Sequence, residues 1–407
     1  MKHQKIIQIL TVVLFVLPLA LGLIFFAVLP DNDFSAEENR SLQTFPQLKW
    51  SSLKDGKFGE QMNEYFADQF PARDVLVGIK GVAELAWGKQ GNNGVALGKG
   101  GVLAVRWFDS YVDRLTRVYD TDYYAGESVA AQTNALNQLS KDLAAQGIPL
   151  TVVIPPRTLD VYGAETGYPM EMADRLWADI DAGLDESVNY IDLREIMQKA
   201  TSEGDYVYYR TDHHWTTKGA YLAYTELMIA WGREADVIPQ SAFEVETVED
   251  FYGTTWSRAG FKFVAPDTLE IWHFAGEDDY TVTDPATGKS FEGFYNRDYL
   301  TKKDKYSAFL DGTHGVLTVT KNDGADRPTL LVLKDSFFNS TVPFLAQHYD
   351  LVVVNLSVGG VKPLSEYVAQ YGCDGVLIMY NGENVMENNA LANLIYQKQP
   401  KAEEDIK

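Results

Sequence analysis

Apolar residues follow three rhythms along the chain, and each predicts a different kind of structure. The first is unbroken: Ile6 to Leu29 runs for 24 residues without a charge, interrupted only by Gln8, Thr11, Pro18 and Gly22. At about 1.5 Å rise per residue such a helix spans a bilayer with some tilt. Lys2 and Lys5 precede it, and Asp31, Asp33, Glu37 and Glu38 follow, which predicts an N-terminus inside and the rest of the chain outside. Two readings compete with a single-pass anchor: a buried core helix, and a signal peptide cut near Phe26-Ala27-Val28. The apolar stretch is longer than the usual core of a signal peptide, and no small-x-small site closes it.

The second rhythm is helical. Phe58, Met62, Tyr65, Phe66 and Phe70, then Val75, Leu76, Ile79, Val82 and Leu85, recur at spacings of three and four with a break at Pro71, so two amphipathic helices are expected. Asn92-Asn93-Gly94 then turns the chain into Val95–Leu97, and Gly100-Gly101 separates that run from Val102–Val105, a hairpin pattern.

The third rhythm alternates short apolar runs with helical stripes. Strands are expected at Pro149–Ile154, Val188–Ile191, Thr329–Leu333, Leu351–Asn355 and Gly375–Met379. Helices are expected around Leu136–Ala144, Met172–Ala182, Leu193–Ala200, Val342–His348, Leu364–Tyr371 and Asn389–Gln397. Continuous apolar strands alternating with helices predict an α/β fold, a three-layer, mainly parallel sheet covered on both faces. Between about residues 243 and 320 the texture changes to Asp, Gly, Thr and aromatics with period-two pieces such as Thr268–Trp272, which predicts an antiparallel insertion. The organisation expected is a cytoplasmic tip and transmembrane anchor at 1–30, a helical and hairpin extension at 31–130, and the α/β domain at 131–407. The tail from Lys398 reads as frayed.

Composition narrows the function. Fifty-seven acidic residues against 35 Lys plus Arg leave a charge of -22, which repels phosphate backbones, so nucleic acid is excluded as a partner. The single Cys373 permits no intrachain disulfide and is expected as a buried thiol.

Two segments carry candidate chemistry. Tyr208-Tyr209-Arg210-Thr211-Asp212-His213-His214-Trp215-Thr216 packs charge and imidazole among aromatics without an amphipathic period, and Lys334-Asp335-Ser336 directly follows the Thr329–Leu333 strand. A serine at a strand-to-helix turn exposes its hydroxyl over the sheet edge, with its amide near a helix start that favours developing negative charge. That hydroxyl needs a base, and a histidine oriented by a carboxylate supplies one. Asp212 and His214 are two apart and share one face of an extended segment, with His213 pointing the other way. The expected catalytic set is therefore Ser336, His214 and Asp212. Two alternatives remain open: Asp335-Ser336 as a plain helix cap, and Asp212, His213 and His214 as metal ligands completed by Asp335. Six histidines without recurring His/Asp/Cys spacing weigh against a metal site, and no cofactor is expected.

Asp212-His213-His214-Trp215, together with Phe34-Ser35-x-x-Glu38-Asn39-Arg40, resembles the DHHW proteins of Gram-positive bacteria, AlgX- and AlgJ-like members of the SGNH hydrolase-like superfamily. Further segments carry the likeness: Tyr65-Phe66-x-Asp68-x-Phe70-Pro71-x-Arg73, Asn93-Gly94-Val95-x-Leu97-Gly98-Lys99 and Lys305-Tyr306-Ser307-x-Phe309-Leu310-Asp311-Gly312. The resemblance implies an SGNH-like domain with Asp and His permuted ahead of Ser, and matches Asp212, His214 and Ser336 to the family's site. The usual Gly-Asp-Ser start departs here to Lys334-Asp335-Ser336. It further implies O-acetylation of a cell-surface or exported polysaccharide, with a separate membrane-bound acyltransferase supplying the acetyl group. A carbohydrate esterase and a non-catalytic polysaccharide-binding or assembly protein are the alternatives. Arg157, after Ile154-Pro155-Pro156, Asn355 at a strand end, Lys334 and Asp335 are candidates for the substrate or oxyanion site. Tyr162, Tyr209 and Trp215 are candidates for stacking on sugar, although aromatics at this density more often serve the core.

Overall fold

Alternate residues of the most apolar strands go to different cores. Leu330 and Val332 join one buried cluster while Leu331 and Leu333 join another. Val353 and Leu377 likewise oppose Val352, Val354, Val376 and Ile378. Only a sheet covered on both faces gives a strand no polar side, which explains the continuous runs in the sequence. Each fully buried Leu or Val adds about 1.5–3 kcal/mol relative to exposure.

A computed structural model describes residues 2–35, 40–105, 125–167, 171–358, 362–387 and 390–395. The central sheet has eight strands: β1 (Leu150–Val153), β2 (Asn189–Ile191), β3 (Tyr280–Asp284), β4 (Lys289–Glu292), β5 (Val316–Lys321), β6 (Thr329–Lys334), β7 (Asp350–Asn355) and β8 (Gly375–Met379), in the order β4-β3-β5-β7-β6-β8-β1-β2. β7, β6, β8, β1 and β2 are parallel neighbours, and β4, β3 and β5 extend them antiparallel. The fold is α/β with a mixed, mainly parallel sheet. The stretch read as a separate insertion is thus divided: β3, β4 and part of β5 complete the main sheet, whereas Glu244–Phe251 and Asp267–His273 form their own two-stranded ribbon.

Helices close both faces. Ala125–Ala144, Glu171–Gly183 and Leu364–Tyr371 cover one side through Leu136, Leu139, Trp177, Ile180 and Tyr367, and Arg194–Ser202 and Thr217–Ala230 cover the other through Met197, Tyr221, Tyr224 and Leu227. Thr217–Ala230 has no counterpart among the expected elements. It is apolar almost all round because it is buried on several sides, so it lacks the amphipathic signal of a surface helix. The helix expected at Val342–His348 is shorter, a 3-10 turn Ser336–Thr341 leading into Val342–Leu345. The tail from Lys398, the end of the last expected helix and Glu38-Asn39 lie outside the described residues.

By internal contacts the chain divides into two units, Met1–Asn92 with Gly260–Phe263, and Asn93–Ala259 with Val264–Lys407. The second holds the sheet and Cys373, which is buried. The first holds an N-terminal helix, Lys2–Val28, long and apolar enough to cross a membrane, as an anchor or an export signal would be. It also holds the helices Lys57–Asp68 and Arg73–Ala86 on either side of Pro71.

Candidate active site

β6 lies between β7 and β8, so the turn after it stands over the middle of the sheet's carboxyl edge, where α/β folds collect chemistry. Asp335 shapes that turn. Its carboxylate accepts from the Phe337 amide at 3.0 Å as a cap, and from the Asn381 amide at 2.7 Å and Asn384 Nδ2 at 2.8 Å beyond β8. Burial pushes its carboxyl up from the ordinary range, against the pull of those donors. Lys334 is buried too, with Nζ donating to Asn339 Oδ1 at 2.6 Å. Burial brings its ammonium down to about 8. Both residues are therefore committed to the interior and are not presented to substrate. Ser336, between buried neighbours, is half-exposed, and its amide opens the 3-10 turn, where an N–H has no partner inside the turn.

The candidate base comes from 122 residues earlier. Tyr208 and Trp215 form an antiparallel bridge, and the Tyr209 amide donates to the His214 carbonyl, so residues 209–214 make a tight loop instead of an extended strand. Asp212 and His214 meet by another route than strand alternation. Asp212 Oδ1 accepts the His214 amide at 3.0 Å and His214 Nδ1 at 2.5 Å, an Asx turn closed on the ring itself. His214 Nε2 then faces Ser336 Oγ at 2.6 Å. Sharing an Nδ1–H with Asp212 leaves Nε2 as acceptor, the tautomer in which the hydroxyl donates to the ring.

The second carboxylate oxygen of Asp212 accepts the Thr254 amide at 2.8 Å and Thr254 Oγ1 at 3.0 Å. Burial would raise this carboxyl, but the charges of His214 and His213 and these hydrogen bonds overcome it and hold it far below the ordinary range. Gly253 is required beside it, because a β-carbon there would collide with Asp212. His213 stays on the same side of the loop as His214. Its ring centroid is 3.8 Å from that of His214, and its Nδ1 meets Thr254 Oγ1 at 2.6 Å. Burial, then the neighbouring imidazole, lowers its basicity. The other flank of His214 is covered by Tyr306, stacked nearly parallel with centroids 3.9 Å apart, whose hydroxyl donates to the Ser336 carbonyl at 3.0 Å. Gly253, Thr254 and Tyr306 escaped the sequence reading. Only Tyr306 left a signal, its place within the segment Lys305–Gly312.

The remaining candidates divide. Trp215 is fully buried, and its Nε1 donates to the Phe337 carbonyl and Ser340 Oγ, each at 3.0 Å. Tyr209 is fully buried against Phe251, and Tyr162 is buried with its hydroxyl toward the Tyr208 carbonyl. None offers a ring face to a sugar, because each fills the core beneath the loop. Arg157 is buried in a paired contact with Asp160, Nε–Oδ2 2.8 Å and Nη2–Oδ1 2.6 Å, which makes it a structural ion pair. Asn355 is register partner of Lys334, and its Oδ1 accepts from the Ser357 amide. Asp212, His213 and His214 bring ligand atoms within 4.8 Å of one another, but both nitrogens of His214 are already engaged and Asp335 is turned to Asn381 and Asn384.

A family model described as DHHW protein matches residues 178–355, which include the loop, the ribbon and the Ser336 turn. Over this stretch, a little under half of its length, the chain resembles the DHHW family. Among curated proteins, the chain is 26% identical over 200 residues to a probable alginate O-acetylase AlgJ of Pseudomonas syringae pv. tomato, covering 48% of each chain. It is 26% identical over 201 residues to the counterpart from Pseudomonas putida, again 48% of each. The match spans about half the length of these relatives. Among solved structures, a DHHW family protein from Eubacterium siraeum superposes with TM-score 0.54 and 22% identity, over 68% of this chain and 90% of that one. Bacillus cereus PatB1 superposes with TM-score 0.54 and 20% identity, over 65% and 92%. These two likenesses establish the fold.

Proposed function

We propose that the chain is an exported, membrane-tethered acyltransferase that moves an acetyl group onto hydroxyls of a cell-surface or exported polysaccharide through Ser336, His214 and Asp212. The observation that carries the reading is the unbroken relay from Asp212 Oδ1 to His214 Nδ1 at 2.5 Å and from His214 Nε2 to Ser336 Oγ at 2.6 Å. The acetyl-transfer chemistry is supported by the similarity to probable alginate O-acetylases.

In the first half-reaction Ser336 Oγ bonds to the acetyl carbonyl carbon while His214 Nε2 takes its proton. The carbonyl electrons move onto oxygen, and as they return the donor's leaving oxygen departs with the proton from His214, leaving acetyl-Ser336. In the second, His214 removes the proton of a sugar hydroxyl as that oxygen attacks, and returns it to Ser336 Oγ as the ester passes to the sugar. The Ser336 amide and Asn355 Nδ2 are the proposed donors to the oxyanion. Asp212, held ionised, keeps the imidazole in one tautomer and stabilises the imidazolium. A membrane-bound acyltransferase is the proposed source of acetyl, with Ile6–Leu29 retained as a single-pass anchor and the α/β domain outside the cell. Water attacking the same acyl-serine would make the protein an esterase.

The full-length chain should hydrolyse a small acetyl ester, and Ser336→Ala should stop it. Surface glycans from cells lacking the protein should lose acetyl groups by mass spectrometry. A serine-reactive phosphonate that leaves Ser336 unlabelled would point to a silent binding protein instead.

A further inference from the structure

The unit built on the N-terminal helix exposes an unusual amount of apolar surface. Trp50 and Trp87 are 83% and 85% exposed, and Leu53, Val75, Ile79 and Val82 are exposed with them. Val75, Ile79 and Val82 recur at four and three along Arg73–Ala86 and form one stripe. On the same helix Gly78 and Gly81 approach Gly260 and Phe261, so the glycine side is occupied and the aliphatic side is bare. Monomeric soluble proteins rarely leave large apolar patches to water.

The depth of the Tyr65–Phe70 end of this unit follows from what it touches. Phe26 packs on Tyr65 and Phe66 with centroids 5.6 and 5.3 Å apart, and the ring of Phe70 reaches Gly22 so closely that a β-carbon there would lie 3.0 Å from it. Gly22 is seven residues before Leu29, about 10 Å along a helix. If the apolar run ends at the outer edge of the hydrocarbon, its packing partners Phe66 and Phe70 lie inside the outer leaflet. The depth agrees with the 5–10 Å at which interfacial helices bury their apolar faces, and tryptophan is the residue enriched at that level.

We infer that residues 45–87 form an interfacial collar around the anchor, embedded in the outer leaflet with the acyl chains of the bilayer covering Trp50, Trp87 and the Val75-Ile79-Val82 stripe. The collar rests on the helix being a retained anchor. It goes beyond the catalytic proposal, because it fixes the height at which the chain leaves the membrane. Neither charge nor headgroup chemistry is needed, since the stripe is aliphatic, so a neutral phosphatidylcholine bilayer suffices as occupant.

The test uses the full-length chain in phosphatidylcholine nanodiscs, with Trp50→Phe, Trp87→Phe and the double variant. Both positions are so exposed that phenylalanine leaves the fold untouched. The emission lost in the double variant should be quenched by lipid brominated on its acyl chains and spared by acrylamide in the water. Quenching by acrylamide alone would overturn the collar, and protection from both quenchers would overturn it in favour of a covering protein surface. Alkaline carbonate extraction of the same preparation separates the two ways to fail. Release of the chain removes the anchor and the collar together, whereas retention with water-exposed tryptophans removes only the collar.

Discussion

Gly253→Ala is the substitution that tests how finely the site depends on Asp212, although residue 253 touches no reacting atom. The added β-carbon would lie 2.5 Å from Asp212 Oδ2 and 2.6 Å from its Cα. Ordinary contact begins near about 3.5 Å, so roughly 1 Å of displacement is needed. Neither side can yield freely: Asp212 is buried and held by Thr254 and by its own turn with His214. A misplacement of about 1 Å costs on the order of 100-fold in rate when it disturbs a positioned group, and overpacking costs about 1–3 kcal/mol of stability. The expected result is a folded protein, lower in thermal midpoint, whose kcat/KM on a small acetyl ester falls by about two orders of magnitude. Phosphonate labelling of Ser336 should slow in parallel, since both depend on the imidazole. A folded Gly253→Ala protein with wild-type turnover would refute the claim that Asp212 must sit where it does for His214 to work.

Other expectations follow from the same contacts. Asp212→Asn should keep the fold but lower kcat by about 10³–10⁴-fold, because the amide favours the wrong tautomer of His214; His214→Ala should be at least as severe in the same ester assay. Tyr306→Phe keeps the ring stacked on His214 and loses only the hydroxyl contacts to Ser336 and Ser340, so its turnover should exceed that of Tyr306→Leu. Lys334 sits at about 8 when folded against an ordinary 10.5, so the unfolded chain holds more protons between those values. Stability should therefore rise with pH across that window, by on the order of 3 kcal/mol at most, and Lys334→Met should flatten the rise in denaturant titrations. His273, whose ring meets Glu246 at 2.9 Å and Glu277 at 2.6 Å, is driven down by burial but raised overall by those carboxylates. Its contribution should be present below about 6.5 and fade as pH climbs through the raised value, a dependence that His273→Gln removes.

The sheet was legible because its strands carry their burial in their composition: a run such as Leu330-Leu331-Val332-Leu333 has no polar face to hide. The site was legible only as residue types. Asp212-x-His214 suggested proximity, but through an extended strand. The structure joins the pair by a side-chain-to-backbone turn, which also explains why His213 remains beside its neighbour instead of opposite. Gly253 and Thr254 hold Asp212 from more than 40 residues away and leave no periodic trace, since support of that kind exists only once the ribbon is folded. Aromatic side chains were ambiguous for a related reason. Trp215 and Tyr209 look like binding surface in a polar segment, yet the loop is built over them.

Trp215 gives the motif its last letter and would constrain the proposed catalytic cycle. Its indole fastens the segment carrying His214 to the turn carrying Ser336, so in the proposed cycle proton acceptor and attacking oxygen would stay together from acylation to deacylation. On that proposal one imidazole in one place serves both donor and acceptor. Discrimination between a sugar and water therefore has to reside in whatever shelters the acylated serine, and the way to convert a transferase of this design into a hydrolase is to open that shelter, leaving the relay alone.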